Sequence, residues 1–572
     1  MLQRMKYVII GAVAGGASAA ARLRRLDEKA EIVIFEKGEY ISYANCGLPY
    51  YIGNVIKDRN KLFVQTAAAF NQRFNIDVRV QTEVLSIDPK AKTIEARDQK
   101  TGLVYSENYD KLILSPGAEP VKPPLPGIMS EGIFTLRNVN DTDYIKAYAN
   151  MNKSGKAVVI GGGFIGLEMA ENLHLLGMEV SIIEMGEQIL APVDFTIAAI
   201  VQQHIRKKGI DLRLNTSVVG FEKNKTGISV SIKDSEPIEA DLVILSIGVR
   251  PDTRLAVGAG LNLGTAKGIW VNEYLQTSDP DIYAVGDAIE FSNPITGNSM
   301  STFLAGPANK QGRICANNIV LGNTEKYNGA INTAIVKVFD MTIATAGMPS
   351  KQLKKSNISH VISTTHSGSH AGYYPGAAQM TIQLAFSSES GKLYGAQVVG
   401  YEGADKRIEM LSSVIKRGST IFELAEIEHA YAPPYSSAKD PVNIAGFVAE
   451  NMLLKKMNVV YWNESGLEDQ QEFIIDVRTL LEFKSGHIPG AKNLPLDALR
   501  ERIDEIPPDR KIIVYCAVGQ RGYLAQRILI QKGYENIFNL SGGYQTWKHA
   551  MAETEQVFMK KKEAESNKLV LA

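Results

Sequence analysis

One pattern of strand, glycine turn, helix, strand and acidic end occurs twice in this chain, and few folds accommodate such a repeat. The stretch "YVIIGAVAGGASAAARLRRLDEKAEIVIFEKG" covers residues 7–38, and "AVVIGGGFIGLEMAENLHLLGMEVSIIEMG" covers residues 157–186. In each, a strand-length apolar run meets glycines, then a helix-length segment, then a second apolar run closing on Glu36 or Glu184. That order is a dinucleotide-binding βαβ unit. The first glycine permits the turn, the second lets backbone approach a pyrophosphate, and the third lets helix pack on strand. Gly161, Gly163 and Gly166 complete the set in the second unit, whose helix N-terminus offers unpaired N–H groups to phosphates. Glu184, 18 residues past Gly166, is placed to accept from both ribose hydroxyls and would repel a 2′-phosphate, which favours NADH over NADPH. The first unit keeps Gly11 and Gly16 but has Val13 at the middle position; Gly15 and its small neighbours leave room, and Glu36 supplies the acid.

A strand ending in a turn follows each unit, "KLILSPGAEP" and "DLVILSIGVRPD". Then "IYAVGDA", residues 282–288, gives a strand and Asp287, leading into a helix near "LAGPANKQGRICANNI", whose Ala305 joins Asp287 as a candidate for cofactor binding. From about residue 330 the pattern turns β-rich, with helices to about 450. A polar connector, "KKMNVVYWNESGLEDQQ", leads to a compact α/β segment and a charged tail, "MKKKEAESNKLVLA", expected to fray. The expected class is α/β: two dinucleotide-binding Rossmann-like domains, an α+β dimerisation domain and a C-terminal α/β domain. The boundaries are 1–117 with 251–330, 118–250, 331–450, a linker over 451–467, 468–553, and a tail over 554–572. A length of 572 residues suits several cores rather than one. Zero formal net charge gives no support to nucleic-acid or anionic-membrane binding, and the apolar runs are strand-length rather than membrane-spanning. Three scattered cysteines and the absence of a signal-peptide pattern point to a reducing, cytoplasmic setting. No metal-ligand pattern is expected.

Two dinucleotide folds, the second inserted in the first, resemble the two-dinucleotide flavoprotein disulfide reductases. Gly11, Gly16 and Glu36, then Gly161, Gly163 and Gly166, then "IYAVGDA" carry that resemblance over roughly residues 5 to 450. It implies FAD in the first unit, with Asp287 on the ribityl chain, and NADH in the second.

The stretch "SYANCGLPYY" holds Cys46 with no second cysteine in a CxxxxC spacing, and the C-terminal region lacks the HPT histidine motif of the dithiol reductases. It resembles the single-cysteine members, which are coenzyme A disulfide reductases and NADH oxidases and peroxidases; Asn45 and Leu48-Pro49-Tyr50 look like the first of these. A reactive thiol needs a pKa lowered by donors or positive dipoles, and that is the expectation for Cys46. Cys315, in the apolar helical pattern "RICANNI", reads as inert core. Coenzyme A needs cations for its phosphates. Arg22 and Arg25 share one helix face; the resemblance assigns that region to the nucleotide and adds Ser42 and Asn45, with Arg73 a weaker candidate. It also implies that Tyr373 and Tyr431 approach the thiol from a partner subunit, so that a homodimer shares each site; Tyr374 and Tyr435 stand beside them as alternatives.

The last α/β segment resembles a single rhodanese domain at "FIIDVRTLLEFKSGHIPGAKNLP", "IIVYCAVGQRGYLAQRIL" and "NIFNLSGGYQTW". Cys516 ends a strand and opens "CAVGQR", whose backbone N–H groups form an anion-stabilising nest suited to a persulfide. Arg521 adds positive charge or neutralises the sulfur donor, while Asp476 and Arg478 order the scaffold. The expected activity is NADH- and FAD-dependent reduction of coenzyme A persulfide, polysulfide and coenzyme A disulfide through a Cys46 mixed disulfide, with Cys516 carrying sulfane sulfur. The connector is expected to let the last domain move. Competing expectations are an NADH oxidase or peroxidase cycling Cys46 as sulfenic acid, and a slow redox-sensing or sulfur-trafficking protein.

Overall fold

The computed structural model describes residues 4–152, 154–225, 227–464 and 472–570, with side chains described to residue 556. It forms two compact units, residues 1–183 with 216–332 and residues 184–215 with 333–572.

Two parallel sheets lie in the first unit. One has the strand order Ile282–Ala284, Lys111–Leu114, Lys6–Ile10, Glu31–Glu36, Asp77–Val80. Its central strands are continuous apolar runs because helices cover both faces, and the helix Ala14–Leu26 packs on the helix Ala305–Leu321. The other places Lys156–Ile160 between Glu179–Ile183 and Leu242–Leu245, with Ile133–Phe134 beyond. An antiparallel ribbon, Ala118–Pro120 with Val249–Pro251, joins the two folds where the chain passes from one to the other and back.

The second unit contains an antiparallel sheet ordered Ala334–Val338, Met341–Gly347, Leu393–Gly400, Gln379–Phe386, Val361–Gly368, covered by the helices Ala404–Arg417 and Pro441–Leu453. A parallel sheet follows, ordered Val459–Val460, Ile537–Leu540, Ile512–Tyr515, Phe473–Asp476, Lys492–Asn493. Its cysteine, Cys516, comes immediately after the central strand, in the position where an open parallel sheet presents its loops.

Two sequence expectations are corrected here. The connector does not act as a free linker, because Val459–Val460 is an edge strand of the last sheet and Trp462 stacks on Phe195 with ring centroids 5.6 Å apart. Tyr461 closes the same segment by donating to the carbonyl of Ile362 at 2.9 Å. Residues 465–467, the end of the expected linker, lie outside the described residues. Nor does a frayed tail begin at 554: the helix Gly543–Val570 runs through that boundary. Glu553 on that helix is fully buried, accepting from Arg206 at 2.5 and 2.6 Å and from Gln202 at 2.7 Å. His366 and Thr546 join at 2.8 Å nearby, with burial holding the imidazole neutral.

These contacts fasten the C-terminal helix to the helix Phe195–Lys207 and to the antiparallel sheet. Arg206→Ala leaves a buried carboxylate with one amide partner and should destabilise this unit by about 3 kcal/mol. Urea unfolding checks it: a midpoint unchanged from the parent would show that the pair does not anchor the helix.

Candidate active site

The first glycine turn builds a cavity of about 640 Å³ whose wall includes Gly11, Val13, Gly15, Glu36, Asn45, Cys46, Arg137, Asp287 and Ala305. Gly11 has φ of +95°, and a Cβ there would stand 2.1 Å from the carbonyl oxygen of Ser115. Gly16 approaches the carbonyl of Gly11 so closely that a Cβ would lie 1.9 Å from it. Both positions therefore require glycine, one for the turn and one for the helix approach. Glu36 is fixed by the backbone it faces, its Oε2 accepting from Ala12 at 2.9 Å and its Oε1 from Gly38 at 2.7 Å. Asp287 sits in the wall with its carboxyl pushed up by burial and moderated by Arg137. A glycine cradle, a strand-end acid and a half-buried acid further along fit an elongated dinucleotide with a polar chain between its halves. They fit FAD.

Cys46 lies in the short turn Asn45–Gly47, ahead of the helix Leu48–Ile52. Leu48 and Leu62 are buried with Val139 against Tyr43, Tyr51 and Phe63, and this small core holds the turn at the cavity. Ser42 has φ of +45°; its N–H donates to the carbonyl of Ala12 and its carbonyl accepts from Val64. The turn is thus hydrogen-bonded directly to the glycine segment. Cys46 opens into the cavity, yet crowding by its walls pushes the thiol up, and the carboxylates of Glu168 and Asp287 push it further. The expectation of a thiol lowered by neighbouring donors is corrected: only its own backbone N–H acts in that direction, and the nearby charges of the chain have the wrong sign.

Sequence reasoning missed Glu168. It lies two residues past Gly166 on the helix Phe164–Leu175 and accepts from the Tyr50 hydroxyl at 3.2 Å. Burial raises its carboxyl to about 7, with Tyr50 opposing and Glu171 adding to the rise. Its signal was an acid among the apolar residues that open this helix, "FIGLEMA". Arg137 was missed as well, since only the fold brings it to Asp287.

The second glycine turn repeats the first: Gly161 has φ of +106°, and a Cβ on Gly166 would lie 2.0 Å from the Gly161 carbonyl oxygen. Among the described residues, no heavy atom beyond Gly163 and its two chain neighbours comes within 4 Å of a Cβ built there, so that backbone is open to an approaching phosphate. Glu184 directly follows the strand Glu179–Ile183 and accepts from Gly186 at 2.7 Å. Of the expected coenzyme A residues, Arg25 and Arg73 are exposed, while Arg22 is half-buried and donates to Asn317 at 2.8 Å. Arg24 between them is buried and donates to the carbonyls of Phe74 and Asn75, which ties the end of the first helix to the helix carrying Arg73. In the second unit the Tyr373 and Tyr431 hydroxyls share a hydrogen bond of 2.7 Å, while Tyr374 turns its ring edge to His370. Tyr435 is exposed.

Cys516 is buried at the start of its loop, and the Gly519 N–H donates to its Sγ at 3.2 Å. The loop is backed by the C-terminal helix: Tyr544 and Gln545 donate to the carbonyls of Cys516 and Ala517 at 2.8 and 3.0 Å. Gly543 allows that approach, since a Cβ there would lie 2.5 Å from the Cys516 carbonyl oxygen. With those carbonyls turned back toward the helix, the loop can aim N–H groups at the sulfur. Arg521 faces Cys516 and makes a fork with Glu482 at 2.6 and 2.9 Å. Arg478 is paired with buried Asp476, donates to Gly486, and lies 4.2 Å over the Tyr544 ring. Among the described residues no cluster could hold a metal ion, and no helix is long and apolar enough to cross a membrane.

Residues 5–312 match the Pyridine nucleotide-disulphide oxidoreductase family, residues 333–441 its dimerisation domain, and residues 460–550 the Rhodanese-like domain. A coenzyme A disulfide reductase of Staphylococcus epidermidis is 36% identical over 445 residues, which is 78% of this chain and all of the relative. The crystal structure of reduced CoADR-RHD from Bacillus anthracis is 47% identical, covers 96% of this chain and 99% of its own, and superposes with a TM-score of 0.94. A NAD-dependent persulfide reductase from A. fulgidus is 38% identical, covers 95% and 100%, and has a TM-score of 0.90.

Removing the acid beside the first thiol has a measurable sign. In Glu168→Gln the pH profile for alkylation of Cys46 by iodoacetamide should move down by about one pH unit, because a neighbouring negative charge is gone. A profile identical to the parent would show that Glu168 does not act on the thiol.

Proposed function

The chain belongs to the pyridine nucleotide-disulphide oxidoreductase family, and from that premise we propose that it reduces coenzyme A persulfide, polysulfide and coenzyme A disulfide with NADH. One observation carries this reading: a single cysteine, Cys46, in the wall of the cavity built by the first nucleotide unit, in a chain that adds a second loop cysteine in a rhodanese-like domain.

Bound FAD supplies the route for two electrons from NADH to the sulfur beside it. Gly11, Gly15, Gly16 and Glu36 would take its phosphates and ribose, and Asp287 and Ala305 its ribityl and ring end. Gly161, Gly163, Gly166 and Glu184 take NADH, and Glu184 selects against a 2′-phosphate. The Cys46 thiolate attacks the thiol-bound sulfur of coenzyme A persulfide, forming a Cys46–S–S–coenzyme A bond and releasing HS⁻. Two electrons then cleave that bond to two thiolates, so each turnover converts persulfide and NADH into coenzyme A thiolate, HS⁻, NAD⁺ and H⁺. With coenzyme A disulfide the first leaving group is a second coenzyme A thiolate. Arg22, Arg25 and Arg73 meet the coenzyme's phosphates, and Ser42 and Asn45 its arm near the thiol. Tyr373 and Tyr431, a hydrogen-bonded hydroxyl pair, serve as proton donors to the leaving thiolate across a homodimer interface. Cys516 accepts sulfane sulfur in the amide-lined loop, with Arg521 beside it. An enzyme fed by NADH and dependent on free thiols belongs in the cytoplasm.

Cys46→Ser should keep bound flavin yet lose NADH-driven sulfide release by at least about a thousandfold, since the nucleophile is gone; release at parental rate would refute the role of Cys46. Cys516→Ser should lose sulfur transfer from polysulfide while coenzyme A disulfide reduction stays within about twofold. Equal loss of both would defeat the division between the two thiols. Parental NADH turnover with oxygen or peroxide exceeding that with every sulfur substrate would favour the oxidase reading instead.

A further inference from the structure

The cation of the second cysteine's loop is already neutralised. Arg521 donates from both terminal nitrogens to Glu482 at 2.6 and 2.9 Å, and both side chains are about one-third exposed. Glu482 is held from its other side, its Oε2 accepting from the Thr479 N–H and hydroxyl at 3.0 Å each in the capping box of the helix Leu480–Lys484. The charge on Glu482 is secure, because Arg521 and the cap hold its carboxyl down at about 2. The neighbouring arginine, Arg478, is likewise paired with Asp476. The Cys516 loop therefore meets an incoming sulfur donor with backbone N–H groups and an arginine whose charge is spent.

We infer that Glu482 makes the Cys516 site selective for sulfane sulfur carried as a persulfide on a thiol, and selective against the thiosulfate dianion, by cancelling the charge of Arg521. The inference rests on the reading of Cys516 as sulfur carrier and names its donor class. Both transfers are nucleophilic displacements that balance without a redox partner. With a persulfide, the Cys516 thiolate forms a bond to the outer sulfur and R–S⁻ leaves, giving Cys516–S–SH. With thiosulfate, the same attack on the outer sulfur expels SO₃²⁻ and leaves Cys516–S–S⁻. The two donors differ in charge at the reacting end: two negative charges for thiosulfate against at most one for the persulfide. A neutral ion pair offers the dianion little, whereas an unpaired guanidinium would attract it twice as strongly as a monoanion. Glu482 is thus a positioning and charge-setting residue rather than a catalytic one.

The test uses the full-length flavin-loaded protein and its Glu482→Gln variant, in which the amide keeps the helix cap and one contact to Arg521. Sulfur transfer to a thiol acceptor is measured from thiosulfate and from cysteine persulfide, at low and high salt. At low salt the substitution should raise kcat/KM for thiosulfate about tenfold and for the persulfide at most about threefold, the gain vanishing at high salt. Unchanged or equally changed values for the two donors would overturn the inference. The parent protein supplies an independent measurement: its thiosulfate rate should be nearly insensitive to salt, and a steep fall would show Arg521 acting as a free charge. Cys516→Ser separates the two readings. If it retains transfer, the carrier role of Cys516 fails; if it abolishes transfer while Glu482→Gln leaves the donor ratio alone, only the charge filter fails.

Discussion

The first unit depends on a close backbone approach. Gly16 against the carbonyl of Gly11, and Gly11 against Ser115, bring the first helix down onto the sheet at distances no side chain permits. The same helix meets the Ala305–Leu321 helix, where Gly312 lies close enough to Gly15 that a Cβ would stand 2.4 Å from its carbonyl oxygen. Those contacts set the position of the glycine turn in the cavity wall. Ala12, inside the turn, accepts from Ser42 and donates to Glu36, so one residue ties the Cys46 segment and the acidic strand end to the glycine turn. Enlarging any of these glycines would displace the cradle and the thiol together.

How much of this was legible in the sequence follows from the range of each interaction. The glycine turns, the strand-end acids and the rhodanese-like loop are local patterns, and each reads directly because spacing along the chain fixes spacing in the fold. Glu168 is different. It sits 122 residues beyond Cys46, and nothing in either segment's periodicity states that the helix Phe164–Leu175 will rest on Leu48–Ile52. Arg137 beside Asp287, and Glu482 beside Arg521, are distant pairs of the same kind. The connector was misread for another reason. Its polar composition outweighed "VVYW", a β-branched and aromatic run that forms an edge strand and a packed corner. The tail was misread because Lys and Glu suit a solvated helix as well as a frayed end, and Glu553 gains its partners only from a helix some 350 residues earlier.

The C-terminal helix has two duties, both within its first eleven residues. Its first residues press Tyr544 and Gln545 onto the carbonyls of the Cys516 loop, and its eleventh residue, Glu553, is the buried acid of the anchor. Moving this domain away from the antiparallel sheet would expose that carboxylate's partners and the His366–Thr546 contact together. The anchoring also stiffens the reactive loop, since the residues that orient its carbonyls belong to the same rigid helix. A persulfide held in such a loop meets donors whose direction is already fixed, which lowers the reorganisation its formation requires.

The two thiols are set in opposite electrostatic surroundings, and the contrast suits a division of labour. Cys46 stands among carboxyl groups that hold its proton until something outside the chain's own charges favours the anion. A thiol so placed is a poor nucleophile toward casual oxidants in the absence of its cofactor, because the thiolate is the reactive species. Cys516 instead lies within reach of a backbone N–H and an arginine, but that arginine is balanced by Glu482. Its loop turns a backbone dipole to the sulfur, and dipoles do not gather small anions from solution as a net charge would. On the proposed reading, one site is gated by what binds beside it, and the other by the charge of what approaches. Under the proposed function, such a chain carries sulfane sulfur at Cys516 without spending reducing equivalents, and commits them only where sulfur reaches Cys46.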